Sequence, residues 1–312
     1  MLNLDRLRAL HAVSAHGSII AAAETLNVTT SAVSQQLAKL EQETGQTLLE
    51  RHGRGVRLTD AAATLVSRTQ TVLSLLEEAE AELEATDTAV AGQITIGAFA
   101  TAARGLAPQA IIALRKRYPE LAITFHEQEP GESIPKLVRR DVDLIIVNDW
   151  QNAPIALPEG LTKAPLFDDI ADIALPPGHR LAKAKSVKLS ELAGEEWIAW
   201  QAGSICHDWL LHTLRKEGRE PKIAHTAGEY ATQLALVAAG LGAAVLPRLG
   251  RDAVPKGVTV VPAEPALRRH VYAAWRTHAT RRNVIQAAVE AFQEAARALA
   301  AQGTSSSARS KR

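Results

Sequence analysis

The sequence predicts an all-α N-terminal region, one long helix and an α/β region in which strands and helices alternate. The first 90 residues contain almost no strand-like run, and apolar residues recur at helical spacing from residue 59 to about residue 86. After residue 91, short strand-like runs alternate with helical segments, which is typical of α/β domains. A chain of 312 residues is too long for one ordinary hydrophobic core, so two or three domains are expected.

The composition is that of a globular protein, with 46% hydrophobic and 22% charged residues. The formal net charge of +1 conceals basic residues between positions 51 and 57 and acidic residues between positions 77 and 87. The single cysteine, Cys206, excludes an intramolecular disulfide and a cysteine-cluster metal site. Because the sequence shows neither a signal-peptide pattern nor an apolar run of roughly 20 residues, we expect a cytoplasmic protein that does not enter a membrane.

Three short helices are predicted in the first 58 residues. The first carries leucines at positions 4, 7 and 10, and Ser18 is the predicted N-cap of a second, alanine-rich helix. Asn27–Thr29 is a predicted tight turn, and Thr29 or Thr30 caps a third helix that ends near Glu43. Two short helices joined by a tight turn, the second polar on its outer face, are a helix-turn-helix pattern.

A basic segment and a long helix follow. Arg51, Arg54 and Arg57 lie in a stretch without acids, and its two glycines permit a hairpin tip, so we predict a basic wing. Thr59 and Asp60 cap the long helix. Its apolar stripe needs a partner surface and comprises Ala62, Leu65, Val66, Thr69, Val72, Leu73, Leu76, Ala79 and Leu83.

The N-terminal residues carry a family resemblance. The matching positions, all between Val13 and Thr59, are Gly17-Ser18, Ala21-Ala22-Ala23, Leu26, Ala32-Val33-Ser34-Gln35-Gln36-Leu37, Leu40-Glu41, Gly45, Leu48, Arg51 and Leu58-Thr59. This segment resembles the N-terminal domain of LysR-type transcriptional regulators, and the remainder is similar to the linker helix and effector-binding domain of that family. Thr30 and Ser31 stand where the family usually has Gln and often Pro.

The resemblance implies the domain organisation. Residues 1–58 would form a winged helix-turn-helix DNA-binding domain, residues 59–90 a linker and dimerisation helix, and residues 91–302 an α/β effector-binding domain. That domain would have two Rossmann-like lobes, as in periplasmic binding proteins, with lobe I at about 91–164 and 268–302 and lobe II at about 165–267. Residues 303–312 are expected to form a disordered tail.

The resemblance also implies the function and the partners. We expect a sequence-specific transcriptional regulator that is controlled by a small-molecule effector bound between the two lobes. Its expected partners are double-stranded DNA and further copies of itself in a homodimer or homotetramer, with RNA polymerase as a further candidate. Activation and repression are both compatible with the sequence.

Short polar side chains on the third helix are the predicted base-reading groups. Gln35 can make a bidentate pair with adenine, and Thr30 can offer its methyl group to thymine. The wing arginines are placed to bind phosphate or enter the minor groove. Alternatively, Thr29 and Thr30 only cap the helix, Gln35 is solvated, and the arginines lie in a solvated loop. The predicted DNA-binding residues are Thr29, Thr30, Ser31, Ser34, Gln35, Lys39, Arg51, Arg54 and Arg57.

The candidate effector residues follow predicted strands or precede predicted helices, where free N–H groups and strand ends form ligand sites. They are Phe99, Ala100, Thr101, Gln128, Asp149, Gln201, Gly203, Ser204 and Glu229. Thr101 and Ser204 either cap helices or bind the ligand, and Asp149 and Glu229 are either solvated or face it. An acid in the cleft suits an amine-bearing effector, so the charge of the effector stays open.

No phosphate-binding loop, nucleophile elbow or HExxH motif occurs, and the histidines form no zinc-ligand set. We therefore expect no enzyme, no catalytic residue, no metal and no cofactor other than the effector. Cys206 is expected to be an inert buried thiol rather than a redox sensor. Two alternatives remain: an enzyme or transport-type binding protein with a helical appendage, and a nucleoid-type protein without an effector.

Overall fold

The computed structural model of the protein describes most of the chain, namely residues 2–26, 28–52, 55–85, 89–192, 194–216, 218, 220–251 and 253–309. Side chains are described for these residues apart from 51, 52, 55, 85 and 302–309. The chain divides into two compact units: the first holds residues 1–88, 139–141 and 278–283, and the second holds residues 89–138, 142–277 and 284–312.

The first unit begins with three helices, α1 (Leu4–His16), α2 (Ile19–Thr25) and α3 (Thr30–Thr44). Each helix starts at a side-chain cap that satisfies a free backbone N–H group. Ser18 Oγ accepts from Ala21 N at 3.1 Å, and Thr29 Oγ1 accepts from Ala32 N at 3.1 Å. The predicted cap at Ser18 is thus confirmed, and of the two threonines it is Thr29 that caps α3.

A hairpin follows α3. Strands β1 (Leu49–His52) and β2 (Gly55–Leu58) pair in antiparallel register, which confirms the predicted wing. The helices enclose a small apolar core, in which Leu10, Val13, Val33, Leu37, Leu40 and Leu48 are buried. Because the inward side chains of α3 recur at positions 33, 37 and 40, its polar residues lie on the remaining faces of the helix.

The long helix α4 spans Asp60–Ala85. Thr59 Oγ1 accepts from Ala62 N at 3.2 Å, as expected for a cap. Part of the predicted stripe is buried, but Val72, Leu76 and Leu83 are 41%, 36% and 71% exposed. These three side chains, with Leu75 at 58%, leave an apolar strip uncovered in a single chain.

The second unit alternates strands and helices. In chain order its elements are β3 (Gly92–Ala98), α5 (Ala100–Gly105), α6 (Ala107–Arg117), β4 (Leu121–Glu127), α7 (Pro130–Arg139), β5 (Leu144–Trp150), β6 (Leu161–Leu175), a 3-10 helix (Leu189–Leu192), β7 (Glu196–Ala199), α8 (Ile205–Lys216), β8 (Lys222–Thr226), α9 (Tyr230–Ala238), β9 (Ala244–Pro247), β10 (Thr259–Arg276), a 3-10 turn (Thr277–Ala279) and α10 (Asn283–Arg309).

A six-stranded sheet has the order β4-β3-β5-β10-β6-β9, and β7 and β8 form a second, parallel sheet. Strand β3 is parallel to β4 and β5, whereas β10 is antiparallel to both β5 and β6. Early β10 residues such as Val261 pack in one apolar cluster with Trp197, and late residues such as Ala274 pack in another with Leu137. Thus β10 contributes to both predicted lobes.

Two long strands connect the predicted lobes. The family resemblance places the crossovers between the lobes near residues 164–166 and 263–267, and β6 and β10 run through these two segments. The pairing of β6 with β10 shifts register between Pro262 and Leu267 and again between Val271 and Tyr272, the residue opposite Pro165. Proline is tolerated in sheets at such irregularities, so the strands continue and the sheet is mixed rather than parallel.

Helix α10 continues to Arg309, into the segment for which a disordered tail was predicted. That segment contains no proline, so its sequence does not end the helix sharply. Within the described part of the chain, no helix combines the length and apolar character needed to cross a membrane.

Candidate functional site

The outer face of α3 is polar and open to solvent. Thr29, Thr30, Ser31, Ser34, Gln35 and Lys39 are all exposed, as the sequence predicted. Two of them have local partners, since Thr29 caps the helix and Ser34 Oγ donates to the Thr30 carbonyl oxygen at 2.9 Å. Gln35 and Lys39 have no side-chain partner among the described residues, so their donors and acceptors are available to a ligand. Such a face suits recognition in a major groove.

Glu41, on α3, holds the wing in place. Its Oε1 accepts from the backbone N–H groups of Leu48 at 2.8 Å and Leu49 at 3.2 Å. Because both bonds reach the start of β1, this carboxylate fixes the hairpin relative to the polar face of α3. Sequence reasoning gave Glu41 no structural role; its only signal was its place in the matched N-terminal pattern.

The wing arginines differ in what the structure describes. Arg57 is exposed and pairs across the hairpin with Glu50, with Nη2 and Oε2 3.0 Å apart. The pair is solvent-exposed, so it stabilises the hairpin little and leaves Arg57 able to exchange Glu50 for a phosphate. Arg54 lies outside the described residues, and the side chain of Arg51 is not described.

In the second unit, a buried arginine lies at the end of the first strand. Arg269, on β10, is 1% exposed and donates from Nε to Asp169 at 2.9 Å and from Nη2 to Thr101 Oγ1 at 2.7 Å. Its guanidinium carbon lies 5.2 Å from the ring centre of Phe99. The candidates Phe99 and Thr101 therefore contact Arg269, which sequence reasoning missed, and Ala100 lies between them.

Arg269 is fully charged. Burial alone would lower the pKa of its guanidinium, but Asp169 reverses this effect and the pKa is raised. The second oxygen of Asp169 accepts from Leu249 N at 3.0 Å, so both carboxylate oxygens are hydrogen-bonded. The ion pair links Thr101 of the predicted lobe I to Asp169 and Leu249 of the predicted lobe II.

Three further titratable groups lie within electrostatic range of Arg269, namely Glu129, Cys206 and Tyr230. Burial raises the pKa of Cys206 to about 11 and raises that of Tyr230 well above its usual value. Desolvation also raises the pKa of Glu129, although its carboxylate accepts from Ala100 N at 3.3 Å. We call Thr101, Glu129, Asp169, Cys206, Tyr230 and Arg269 the Arg269 cluster.

The lobe II candidates surround the N-terminus of α8. Gln201 and Gly203 are exposed, and Gly203 has φ +84°, a conformation that favours glycine. Ser204 Oγ accepts from His207 N at 3.2 Å, so Ser204 caps the helix in which Cys206 is buried. Glu229 is exposed, and its side chain forms no cap at the start of α9.

Gln128 and Asp149 are both buried but differ in their surroundings. Gln128 Oε1 has no hydrogen-bond partner among the described residues and lies against Gly97, where an added Cβ would come within 3.1 Å of it. Asp149 lies inside β5 rather than after it, and accepts from Ile155 N at 3.0 Å. No hydrogen bond or ion pair among the described residues joins it to the Arg269 cluster. Among the described residues, no group of His, Cys, Asp and Glu could hold a metal ion.

A helix-turn-helix with an open polar face and a wing, in a chain that also carries an α/β ligand-binding fold, defines a ligand-binding DNA-recognition protein. Comparison with family models agrees with this class. Residues 4–63 match the bacterial regulatory helix-turn-helix protein, lysR family, and residues 88–297 match the LysR substrate binding domain.

Individual relatives show the same organisation. The chain is 31% identical over 249 residues to the uncharacterized HTH-type transcriptional regulator YnfL of Escherichia coli K12, which covers 79% of this chain and 82% of YnfL. It is 28% identical over 278 residues to a hydrogen peroxide-inducible genes activator of Dickeya chrysanthemi, covering 88% and 90% of the two chains. Full-length OxyR from Pseudomonas aeruginosa has the same fold, with a TM-score of 0.71 and 24% identity over 94% of this chain and 98% of that one.

The chain belongs to the LysR family. It is a DNA-binding transcriptional regulator with a C-terminal effector-binding domain, and not an enzyme.

Proposed function

We propose that α3 reads a specific operator through Gln35, Ser31 and Thr30 while the wing binds the phosphate backbone. The observation that carries this proposal is that α3 exposes a polar face to solvent while its apolar face, formed by Val33, Leu37 and Leu40, is buried in the core of the first unit. Lys39 on α3 and Arg57 on the wing supply positive charge, and Arg51 and Arg54 are assigned to the wing contact from the sequence. Thr29 and Ser34 position the start of α3 and contact the phosphate backbone of the DNA.

Genome-wide DNA occupancy, followed by anisotropy titrations on the recovered sites, tests this proposal. We expect discrete sites with a shared motif, and a protein lacking residues 1–58 that binds none of them. Lys39→Gln should weaken binding to every sequence and lower the salt slope by about one unit, because phosphate contacts carry no sequence information. Uniform occupancy without a motif would instead support a nucleoid-type protein.

We also propose that the effector binds beside the Arg269 cluster, between the α5 and α8 N-termini, and that it is a hydrogen-bond donor such as an amine. Arg269 is already neutralised by Asp169, so the described cluster offers no free cation to an anionic effector. Gln128 Oε1 and the Glu229 carboxylate have no side-chain partner among the described residues. A buried acceptor without a described donor, such as Gln128 Oε1, favours a ligand that supplies a donor.

Thermal-shift screening of the full chain tests the effector proposal. Amines and their neutral N-acetyl analogues are compared in pairs, with Glu229→Gln as the variant. We expect amine-selective stabilisation that shrinks in Glu229→Gln. Stabilisation by carboxylates instead would contradict the donor assignment without affecting the DNA-binding proposal.

We propose further that this regulator does not sense peroxide through its cysteine, although relatives carry hydrogen peroxide in their names. Cys206 is the single cysteine of the sequence and is buried, and burial raises its pKa to about 11, which disfavours the reactive thiolate at pH 7. Intact-mass measurement after peroxide treatment should show Cys206 oxidising more slowly than free cysteine. Fast oxidation accompanied by a change in DNA affinity would refute this.

The exposed strip of α4 supports a proposed homodimer, or a homotetramer built from dimers, in which two α3 helices contact two half-sites. Light scattering of the Leu83→Glu variant tests the strip: we expect dissociation, because a carboxylate in an apolar interface would be desolvated without a partner.

We propose that the protein acts in the cytoplasm, without a cofactor other than its effector, and that RNA polymerase is a partner at the promoter.

A further inference from the structure

A groove lies in the effector-binding unit, and no residue of the Arg269 cluster lines it. It encloses about 770 Å³ between α8, the turn after β5 and the irregular middle of β10. Small-molecule sites occupy roughly 300–1,000 Å³, so this volume is that of a ligand site. None of the candidate effector residues lines it.

Hydrogen bonds join the walls of the groove to one another. Gln151 N donates to the Arg268 carbonyl oxygen at 3.1 Å, which ties the turn to β10. Asn152 Oδ1 accepts from Trp209 Nε1 at 2.6 Å, and its Nδ2 donates to Thr213 Oγ1 at 3.1 Å, which ties the same turn to α8. Because these bonds exist in the chain alone, a ligand need not order the walls, and less of its binding energy is lost on binding.

A third connection fixes the remaining side. Val187 N donates to the Pro262 carbonyl oxygen at 2.9 Å, and Glu264 N donates to the Val187 carbonyl oxygen at 2.8 Å. These bonds hold Lys188 and Leu189 opposite α8. The hydrogen bonds thus connect the turn after β5 to β10 and to α8, and they connect the segment at residues 187–189 to β10.

The side chains combine an apolar floor with a cationic rim. Leu189, Trp209 and Leu267 are buried and supply apolar surface to the groove. Lys188, Lys216 and Arg268 line it as exposed cations, and none of the three has an ion pair with a described residue. Glu264 is the acid among the lining residues; its Oε2 accepts from Ser186 Oγ at 2.6 Å, and its single negative charge faces the three positive charges of Lys188, Lys216 and Arg268.

We propose that this groove is a second small-molecule site, which binds an organic anion with an aromatic or alicyclic body. The apolar body packs on Leu189, Trp209 and Leu267, and the anionic group lies among Lys188, Lys216 and Arg268. An occupant contacts both α8 and β10, and Trp209 of α8 stacks on Trp150 of β5 with ring centres 3.7 Å apart. The site therefore lies against elements that join the two predicted lobes.

A matched pair of ligands tests the proposal. 1-Naphthoate and the neutral 1-naphthamide have the same ring system, and calorimetry with the full chain measures both affinities. We expect naphthoate to bind at least fivefold more tightly than naphthamide. Lys216→Gln and Arg268→Gln should each raise the Kd for naphthoate three- to fivefold, about the value of one exposed charge contact, and the double variant about tenfold or more.

Lys116→Gln is the control, because Lys116 is an exposed lysine on α6 that does not line the groove. The Kd of the Lys116→Gln variant for naphthoate should equal that of the unchanged chain. Equal affinities for naphthoate and naphthamide would overturn the anion assignment. A Kd unaffected in the Lys216→Gln/Arg268→Gln double variant, or raised equally in Lys116→Gln, would place the ligand elsewhere and overturn the site.

Discussion

Replacing Arg269 by methionine should strongly destabilise the effector-binding unit. The change removes both Arg269 bonds to Asp169, at 2.9 Å and 2.8 Å, and leaves a carboxylate that is 4% exposed with Leu249 N–H as its described hydrogen-bond donor. Breaking one partner of a buried ion pair costs about 3–5 kcal/mol. That is a large part of a typical stability of about 5–15 kcal/mol.

Thermal unfolding of the full chain, followed by circular dichroism, measures the effect. For a unit of roughly 200 residues, each kcal/mol corresponds to about 2–4 °C in Tm, so the transition should fall by about 6–20 °C. Adding Asp169→Asn removes the unpaired charge and should recover much of the loss. A loss below about 1 kcal/mol, or a double variant less stable than the single one, would refute the assignment of this pair as a buried, mutually dependent contact.

Two further predictions concern the surroundings of this pair. Gly250→Ala should lower the free energy of unfolding by about 2–4 kcal/mol, because φ is +60° and the new Cβ would lie 2.4 Å from the Thr101 carbonyl oxygen. The control, Gly240→Ala, has φ +82° and no atom within 4 Å of the new Cβ, so it should lower that free energy by only about 1 kcal/mol. Urea unfolding measures both losses, and equal losses would contradict the close approach at Gly250. Glu129→Gln keeps the acceptor for Ala100 N–H and removes a desolvated charge. Because the pKa of Glu129 is raised in the folded state, the wild type loses stability as the pH rises through that pKa. Glu129→Gln should therefore have the higher Tm at pH 8 and no advantage below pH 4. A Tm difference that does not depend on pH would contradict this role of Glu129.

Local signals were sufficient for the N-terminal fold. The hydroxyl of Ser18 or Thr29 before a helical apolar pattern predicts a cap, and the structure contains both caps. The inward positions of α3, which are Val33, Leu37 and Leu40, leave Gln35 and Lys39 outside by geometry alone. Such predictions succeed because they depend on neighbours a few residues apart.

The Arg269 cluster could not be predicted in the same way. Arg269 and Asp169 are a hundred residues apart, and their pairing depends on the register of β10 with β6. Local sequence patterns do not determine that register, so neither residue was among the candidates expected near Thr101. A buried arginine has no sequence signature of its own, because arginine is usually exposed.

Ser204 shows a different limit. Its position before α8 predicted either a cap or a ligand contact, and the structure shows the cap. One hydroxyl oxygen can accept from the helix and still donate to an effector, so the cap does not exclude the second role. Asp149, in contrast, was expected after β5, and it lies inside the strand because Trp150 extends the buried run.

If the outer face of α3 reads base sequence, replacing Gln35 should change the sequence that the protein selects. Selection of bound duplexes from a random library should yield a motif for the wild type. Gln35→Ala should lose the preference at one position and bind the wild-type site about 5- to 150-fold more weakly, as expected for one bidentate base contact. The control variant, Gln46→Ala, changes an exposed glutamine beyond the end of α3 and should leave the motif intact. If Gln35→Ala selects the wild-type motif with unchanged affinity, α3 does not read the operator through this residue.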